Sequence, residues 1–246
     1  MLADLHNHSC LSPCGSLELS PRRLLELGAA KGIKVMALTD HNSSLNCPAF
    51  AKLSYQYGII PIFGMEATTQ EEIHVLCLFT DLKASMAFSE YAYSILTPFF
   101  NIPERTGDQV YVDEDDNIEG EVEFYLVNPL ELSIDNIGEK VMDFGGIVIP
   151  AHVDRHAFSM TSQLGVVLDG PWTALECVRI PPAVNDFPLN THKFPLTTSS
   201  DAHFGEHVGR RPFLLDVSAE ELLPGGIGTE ANMDAFKNAL RKRPIG

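Results

Sequence analysis

The chain has 246 residues, 45% of them hydrophobic and 20% charged, with a formal net charge of -16 at pH 7. This composition is typical of a globular α/β domain, and no apolar run reaches the roughly 18 residues that a membrane-spanning helix needs. The negative charge argues against binding to long nucleic acid, because lysine and arginine contacts to phosphate supply most of that affinity.

The cysteines and the N-terminus indicate the cellular compartment. The 5 cysteines form no Cys-x-x-Cys pair and lack the dense, even pattern of a disulfide scaffold. Asp4 and two histidines stand where a secretory signal would have a basic and then an apolar segment. We therefore expect reduced thiols, a cytoplasmic location and a single domain over residues 1–246.

The first predicted strand leads into His6-Asn7-His8. Met1-Leu2-Ala3 is a short apolar approach, and the spacing places both imidazoles on one side of an extended chain. The two rings could therefore share one ion. A buried pair bonded to backbone carbonyls is the alternative interpretation.

Helix and strand signals then follow in turn. Ser20-Pro21 is typical of a helix start, and Gly32 of its end. Residues 33–38 form a compact apolar run, as a strand buried on both faces should, and the run leads into Asp40-His41. Polar residues thus follow the predicted end of the strand.

The same pattern repeats in the next segment. Residues 49–57 are predicted as a helix, and 58–63 as a strand that terminates at Glu66. Residues 72–79 form another predicted strand, which we expect to pair with its predecessor as a hairpin because no helix fits between them. Residues 82–97 are predicted to be helical.

An acidic insertion is predicted at about residues 98–128. Nine acidic residues lie between 104 and 123, and Arg105 is the only cation among them. Such a charge run is typical of a solvated loop. A lid over a cationic site is the alternative interpretation.

The remaining elements again place polar residues at strand ends. A helix is predicted over 133–144 and a strand over 147–152, which ends at His152. A further apolar segment ends at Glu176, which we interpret as a surface carboxylate, with contact to the ligand network as the alternative interpretation. Residues 196–200 lead into Asp201-Ala202-His203, and residues 230–243 form a closing surface helix.

Strands and helices in this order predict either a parallel barrel or a doubly wound sheet. In an open sheet, functional loops gather at one switch point, whereas a barrel brings its first and last strands together. If the N-terminal histidines share a site with Asp201 and His203, the chain closes into a barrel.

Potential metal ligands recur along the chain. The candidates are His6, His8, Cys14, His41, Glu66, His74, His152, Asp201 and His203. Six of the 9 histidines belong to this set. A neutral imidazole needs a partner on each nitrogen, and a metal ion on one with a hydrogen-bond acceptor on the other meets that need. The set therefore predicts a metal centre.

Five segments in order resemble the motifs of the PHP (polymerase and histidinol phosphatase) superfamily. They are Asp-Leu-His-Asn-His-Ser, Leu-Thr-Asp-His-Asn, Gly-Met-Glu, Pro-Ala-His-Val and Ser-Ser-Asp-Ala-His, and they span roughly residues 4 to 205. The resemblance implies a distorted (β/α)7 TIM-like barrel. It also implies two to three divalent ions, of zinc, manganese or iron, at the C-terminal ends of the strands.

The resemblance further implies how the ligands divide among the ions. The first ion would be held by His6, His8, Glu66 and Asp201. Glu66 would bridge to the second ion, completed by His74 and His152. The third would be held by His41, His203 and Cys14. Relatives often have histidine or an acid near the position of Cys14, where a thiolate would favour zinc or iron. Alternatively, the third site is weak and Cys14 is a small loop residue.

The activity that the resemblance implies is hydrolysis of a phosphate ester by a hydroxide held between two cations. We expect a small phosphorylated substrate or a short nucleotide, with Glu66 and Asp201 at the catalytic centre. Asp40 would orient an imidazole or bind metal directly, and His207 is a candidate proton donor.

Three arginines are candidates for binding the substrate phosphate. They are Arg155, Arg210 and Arg211. A guanidinium group can donate two hydrogen bonds to phosphate oxygens. Ordinary surface ion pairs are the alternative interpretation for each of them.

Two further functions stay open at this point. One is a 5'-to-3' exonuclease that trims short oligonucleotides. The other is a PHP-like module that binds metal without turnover. Such modules usually lack several ligands, whereas Cys14 is the only substitution found here. The ligand set therefore favours catalysis.

Overall fold

The computed structural model describes residues 1–180 and 193–242. The strands in these ranges are β1 Leu2–Asp4, β2 Val35–Leu38, β3 Ile60–Thr68, β4 His74–Phe79, β5 Val110–Val112, β6 Ile118–Glu121, β7 Ile147–Pro150, β8 Leu175–Glu176, β9 Leu196–Thr197 and β10 Phe213–Leu214. The α-helices are α1 Pro21–Ala30, α2 Cys47–Ser54, α3 Leu82–Ser94, α4 Pro103–Thr106, α5 Ile134–Asp143, α6 Met160–Leu164, α7 Ala219–Leu222 and α8 Met233–Arg241. None of these helices has the length and apolar character needed to span a membrane.

The central sheet has 6 strands in the spatial order β10-β1-β2-β3-β4-β7. Strands β1, β2 and β3 run parallel, whereas β4 is antiparallel to both β3 and β7. The predicted hairpin of β3 and β4 is therefore confirmed. Strands β2, β3, β4 and β7 are buried along their whole length, as expected for strands covered on both faces.

The parallel pair β8-β9 continues the sheet from β7 back towards β1. The Thr173 N–H donates to the Val148 carbonyl at 2.9 Å, and the Val153 N–H donates to the Glu176 carbonyl at 2.8 Å. On the other side, the His8 N–H donates to the Ala202 carbonyl at 2.9 Å. The first and last strand ends are therefore neighbours, and the predicted distorted (β/α)7 TIM-like barrel is confirmed.

The local sequence signals predicted the positions of most helices and strands. The Ser20 hydroxyl accepts a hydrogen bond from the Arg23 N–H at 3.2 Å and caps α1, which has Pro21 at its first position. The predicted closing helix corresponds to α8, which ends at Arg241. Residue 243 of that prediction lies outside the described residues.

Strand β3 is longer than predicted. It pairs with β4 from Phe63 opposite Phe79 to Thr68 opposite His74, so Glu66 lies inside the strand and not after it. The hairpin partner explains the extension, because each added residue of β3 gains a backbone partner in β4.

The acidic segment 98–128 is more ordered than a solvated loop. It contains α4 and the antiparallel hairpin β5-β6. The side-chain amide of Gln109 donates to the Phe124 carbonyl at 2.9 Å. Lys52 donates to the Glu114 carboxylate at 2.7 Å, so cations from the barrel helices oppose this charge in addition to Arg105.

Gly64 allows the close approach of β3 to β4. An added Cβ would lie 2.0 Å from the Cys77 carbonyl oxygen. We expect Gly64→Ala to lower the free energy of unfolding by at least about 2 kcal/mol, because the obstacle is backbone. Gly205→Ala is the matched control, since its nearest atom is the flexible end of Leu27 at 3.2 Å, and its cost should stay below about 1 kcal/mol. Urea denaturation measures both, and equal stability of the two variants would contradict this account of the β3-β4 contact.

Candidate metal centre

The candidate ligands lie at one rim of the barrel. Three histidines, His6, His8 and His41, directly follow β1 or β2, and Glu66 lies near the end of β3. The remaining candidates that reach this rim are His74, His152, Asp201 and His203. His74 is the first residue of β4, and the antiparallel direction of that strand brings its start to the rim where the parallel strands end.

The buried carboxylate of Glu66 is the centre of the cluster. Five imidazole nitrogens surround it. Its Oε1 lies 2.8 Å from His74 Nδ1, 3.0 Å from His152 Nε2 and 3.2 Å from His6 Nε2. Its Oε2 lies 3.2 Å from His41 Nδ1 and 3.3 Å from His8 Nε2. The side chain of Glu66 is 0% exposed.

Asp201 closes the opposite side of the cluster. Its Oδ1 lies 3.5 Å from His6 Nε2, 3.6 Å from His8 Nε2 and 3.4 Å from His203 Nδ1. The Nε2 atoms of His6 and His8 are 3.1 Å apart, so both rings point to the same space. Among the residues that the structure describes, three groups of three side chains each have their ligand atoms within 4.8 Å of one another. They are His6, His8 and Asp201; His41, Glu66 and His74; and His8, His41 and His203.

These donors fit divalent metal ions. Five buried atoms of the cluster have no hydrogen-bond partner, namely His41 Nδ1, Glu66 Oε2, His74 Nε2, His152 Nδ1 and Asp201 Oδ1. Buried polar atoms without partners are rare in folded proteins, and cations bound in the cluster would satisfy His41 Nδ1, Glu66 Oε2 and Asp201 Oδ1. Ligand atoms bound at 2.0–2.2 Å around a tetrahedral ion lie about 3.3 Å apart, close to the separations seen here. Imidazole and carboxylate donors suit zinc, iron and manganese.

The electrostatics of the cluster keep several imidazoles available as ligands. Burial lowers the pKa of His41 well below its usual value, and burial together with the neighbouring His8 lowers the pKa of His203 to about 3. Both rings are therefore neutral near pH 7. Burial alone would raise the pKa of Glu66, but His74 and His6 hold it well below its usual value, so the carboxylate is charged.

Glu176 contacts the ligand network, which is one of the two interpretations that the sequence left open. The other interpretation, a surface carboxylate, is wrong, because the residue is 2% exposed. Its carboxylate lies 2.9 Å from His6 Nδ1 and accepts from the His152 N–H at 3.0 Å. Such a carboxylate fixes the tautomer and orientation of a histidine ligand. Like the other candidates, Glu176 stands at the end of an apolar segment, and this position is the sequence signal for a residue of the site.

Asp40 has the contacts of an orienting residue. Its carboxylate accepts from the Ser9 N–H at 2.7 Å, the Ser9 hydroxyl at 2.6 Å and the Ser12 hydroxyl at 2.7 Å. The Ser12 oxygen in turn lies 2.9 Å from His8 Nδ1. Asp40 therefore orients His8 through Ser12, and it belongs to none of the three donor groups within the described ranges.

Cys14 belongs to none of the three donor groups of the described residues, and the third of these groups contains His8 beside His41 and His203. Burial and the negative charge of Glu66 raise the pKa of the Cys14 thiol to about 12. Metal binding by Cys14 stays a prediction.

The predicted phosphate-binding arginines have different surroundings. Arg155 Nη1 donates to Asp201 Oδ2 at 3.0 Å, with 44% of the side chain exposed at the edge of the cluster. Arg210 Nε donates to the Ser200 carbonyl at 2.6 Å, and Arg211 Nε to the Ser199 carbonyl at 2.9 Å. These two arginines fasten the segment that carries Asp201. Phosphate contacts by Arg210 and Arg211 stay predictions.

His207 has no place in the three donor groups of the described chain. It lies in the 3-10 turn Gly205–His207, with its ring 5.5 Å from that of Phe204. Proton donation by His207 stays a prediction.

Substitution of Glu176 tests its contacts with the histidine ligands His6 and His152. Glu176 Oε2 contacts both His6 Nδ1 and the His152 N–H, and Oε1 lies 3.2 Å from His6 Nδ1. Glu176→Gln removes the negative charge and, with its oxygen kept at the Oε2 position, turns an NH2 group towards His6 Nδ1. We expect metal affinity to fall by about 10- to 100-fold. Competition with a fluorescent chelator measures this affinity, with Glu139→Gln on the exposed face of α5 as the control. Unchanged affinity would contradict the role of Glu176.

The sequence is similar to known proteins over about half of the chain. Residues 4–123 match the PHP domain family. An uncharacterised protein of Methanocaldococcus jannaschii is 30% identical over 138 residues, which cover 48% of this chain and 80% of that protein.

Similar folds occur among solved structures. The lesion-specific endonuclease Q of Pyrococcus furiosus has a TM-score of 0.60 and 18% identity over 94% of this chain, which spans 57% of that enzyme's length. A protein of Bifidobacterium adolescentis, considered to be a metal-dependent phosphoesterase, has a TM-score of 0.55 and 16% identity, and the match covers 97% of this chain and 95% of that protein. At these identities the likeness shows the fold alone. On its sequence matches, this chain belongs to the PHP domain family.

Proposed function

We propose that this protein is a metal-dependent phosphoesterase that hydrolyses phosphate esters of small molecules or nucleotides. The observation that carries the proposal is the buried Glu66 carboxylate with five imidazole nitrogens around it and Asp201 opposite. Membership of the PHP family supports it.

The donor atoms would divide among two or three ions, and the first two of these would share Glu66. One ion would be held by His6, His8, Glu66 and Asp201. A second would be held by Glu66, His74 and His152. His41 and His203, with Cys14, would hold a third. Divalent cations supply phosphoester hydrolysis with neutralisation of the phosphoryl oxygens and a lowered pKa of water.

The other residues of the site prepare these donors and the substrate. Glu176 holds the His6 ring, and Asp40 holds His8 through the Ser12 hydroxyl. Arg155 reaches the edge of the cluster, where its exposed guanidinium can donate to a phosphate oxygen. Arg155 would thereby orient the substrate by binding one side of its phosphate group.

Charge supports a small substrate over long nucleic acid. The chain carries -16 overall, which opposes a polyanion. At the cluster itself, two or three divalent ions would outweigh the charges of Glu66, Asp201 and Glu176, so the local field would attract a phosphate group. This local field is the main electrostatic influence on a small phosphate ester.

Substitution of Glu66 distinguishes a catalytic protein from one that binds metal without turnover. We expect Glu66→Gln to lower phosphate release from p-nitrophenyl phosphate by more than about 100-fold, because the amide removes the shared negative ligand. Circular dichroism should show that the fold is retained. Chelator treatment should abolish wild-type activity and added manganese or zinc should restore it.

Glu139→Gln is the matched control and should keep wild-type turnover. An inactive wild-type protein after full metal loading, on p-nitrophenyl phosphate and on a panel of nucleotides, would contradict the proposed function.

Arg155 tests the binding of the phosphate group. We expect Arg155→Ala to raise KM for p-nitrophenyl phosphate by about tenfold, because a charged hydrogen bond to the substrate is lost. Arg155→Lys should recover part of this loss. Arg105→Ala, exposed on α4, is the control. An unchanged KM in Arg155→Ala would show that this arginine serves only as an ion pair to Asp201.

A further inference from the structure

Phe158 is an aromatic side chain at the edge of the metal-ligand cluster. Its ring stacks on the ring of His74 with centroids 4.9 Å apart and an interplanar angle of 17°. Although it lies against this buried ligand, 38% of Phe158 is exposed. The aromatic surface is therefore accessible beside the cluster.

The backbone holds Phe158 in an unfavourable conformation. Its φ angle is +54°, in the left-handed region that a bulky residue rarely adopts. The Phe158 carbonyl accepts from the His74 N–H at 3.0 Å, which ties this turn to the start of β4. Strained backbone of this kind concentrates at ligand-binding sites. The fold thus fixes a solvent-accessible ring at this position.

Arg155 and Phe158 are the two ends of one short loop, and they reach different parts of the cluster. The guanidinium of Arg155 contacts Asp201, while the ring of Phe158 covers His74. The Ser159 hydroxyl donates to the Arg155 carbonyl at 2.7 Å and closes the loop on itself. A phosphate group bound by the metal ions would therefore have a cation on one side and an aromatic ring on the other.

We propose that Phe158 is a stacking platform that selects phosphate esters with a planar aromatic ring close to the phosphate, such as nucleotides. This inference rests on the proposed function of the same site. One face of the Phe158 ring lies on His74, and the remaining accessible surface can receive a second ring in offset stacking. An aliphatic phosphate, such as a sugar phosphate, has no flat apolar group for this contact.

Two phosphonates that cannot be hydrolysed test the proposal by binding. Isothermal titration of the zinc-loaded protein compares phenylphosphonate with methylphosphonate. We expect wild-type protein to prefer phenylphosphonate by about tenfold, since stacking on an aromatic side chain gives effects of this order. Phe158→Leu should lose this preference while its affinity for methylphosphonate is unchanged, and Phe158→Tyr should keep the preference. Phe99→Leu, which changes a phenylalanine that is 65% exposed in the 98–128 insertion, should behave as wild type.

The outcomes separate this inference from the proposed function. Equal wild-type affinity for the two phosphonates, or an unchanged preference in Phe158→Leu, would overturn the stacking role. Loss of bound zinc in Phe158→Leu would also overturn it, because the ring would then serve to position His74. If neither phosphonate binds the zinc-loaded wild-type protein, the proposed function itself fails.

Discussion

The structure depends on a carboxylate that is buried among imidazoles. Glu66 has no exposed surface, so its charge must be balanced inside the protein. Burial keeps His41 and His203 neutral, so both rings can bind a metal ion. Unpartnered donor atoms in the same space fit divalent cations. The cluster is thus built for metal before any substrate is considered.

The barrel is the means by which distant residues reach this cluster. The parallel strands end at one rim, and the first residue of the antiparallel strand β4 lies at the same rim. The contact of His8 with Ala202 closes the ring, so histidines near the N-terminus meet Asp201. Arg210 and Arg211 bind backbone carbonyls of the last segment and hold Asp201 in position.

The sequence allowed prediction of features that depend on local chemistry. The Ser20 cap, the apolar strands and the polar residues at their ends are all local, and together they indicated a barrel. The burial of Glu176 could not be predicted, because β8 has only 2 residues, too few for a periodicity, and this burial comes from long-range pairing with β9. The length of β3 and the contact of Lys52 with the acidic hairpin likewise depend on partners far away in sequence.

The most direct test of this account is anomalous diffraction from crystals of the protein loaded with zinc or manganese. The account predicts a strong peak between His6, His8, Glu66 and Asp201, and a second peak between Glu66, His74 and His152. Glu66 should contact both peaks. Peaks elsewhere on the protein, or an ordered cluster with no peak at full metal loading, would contradict it.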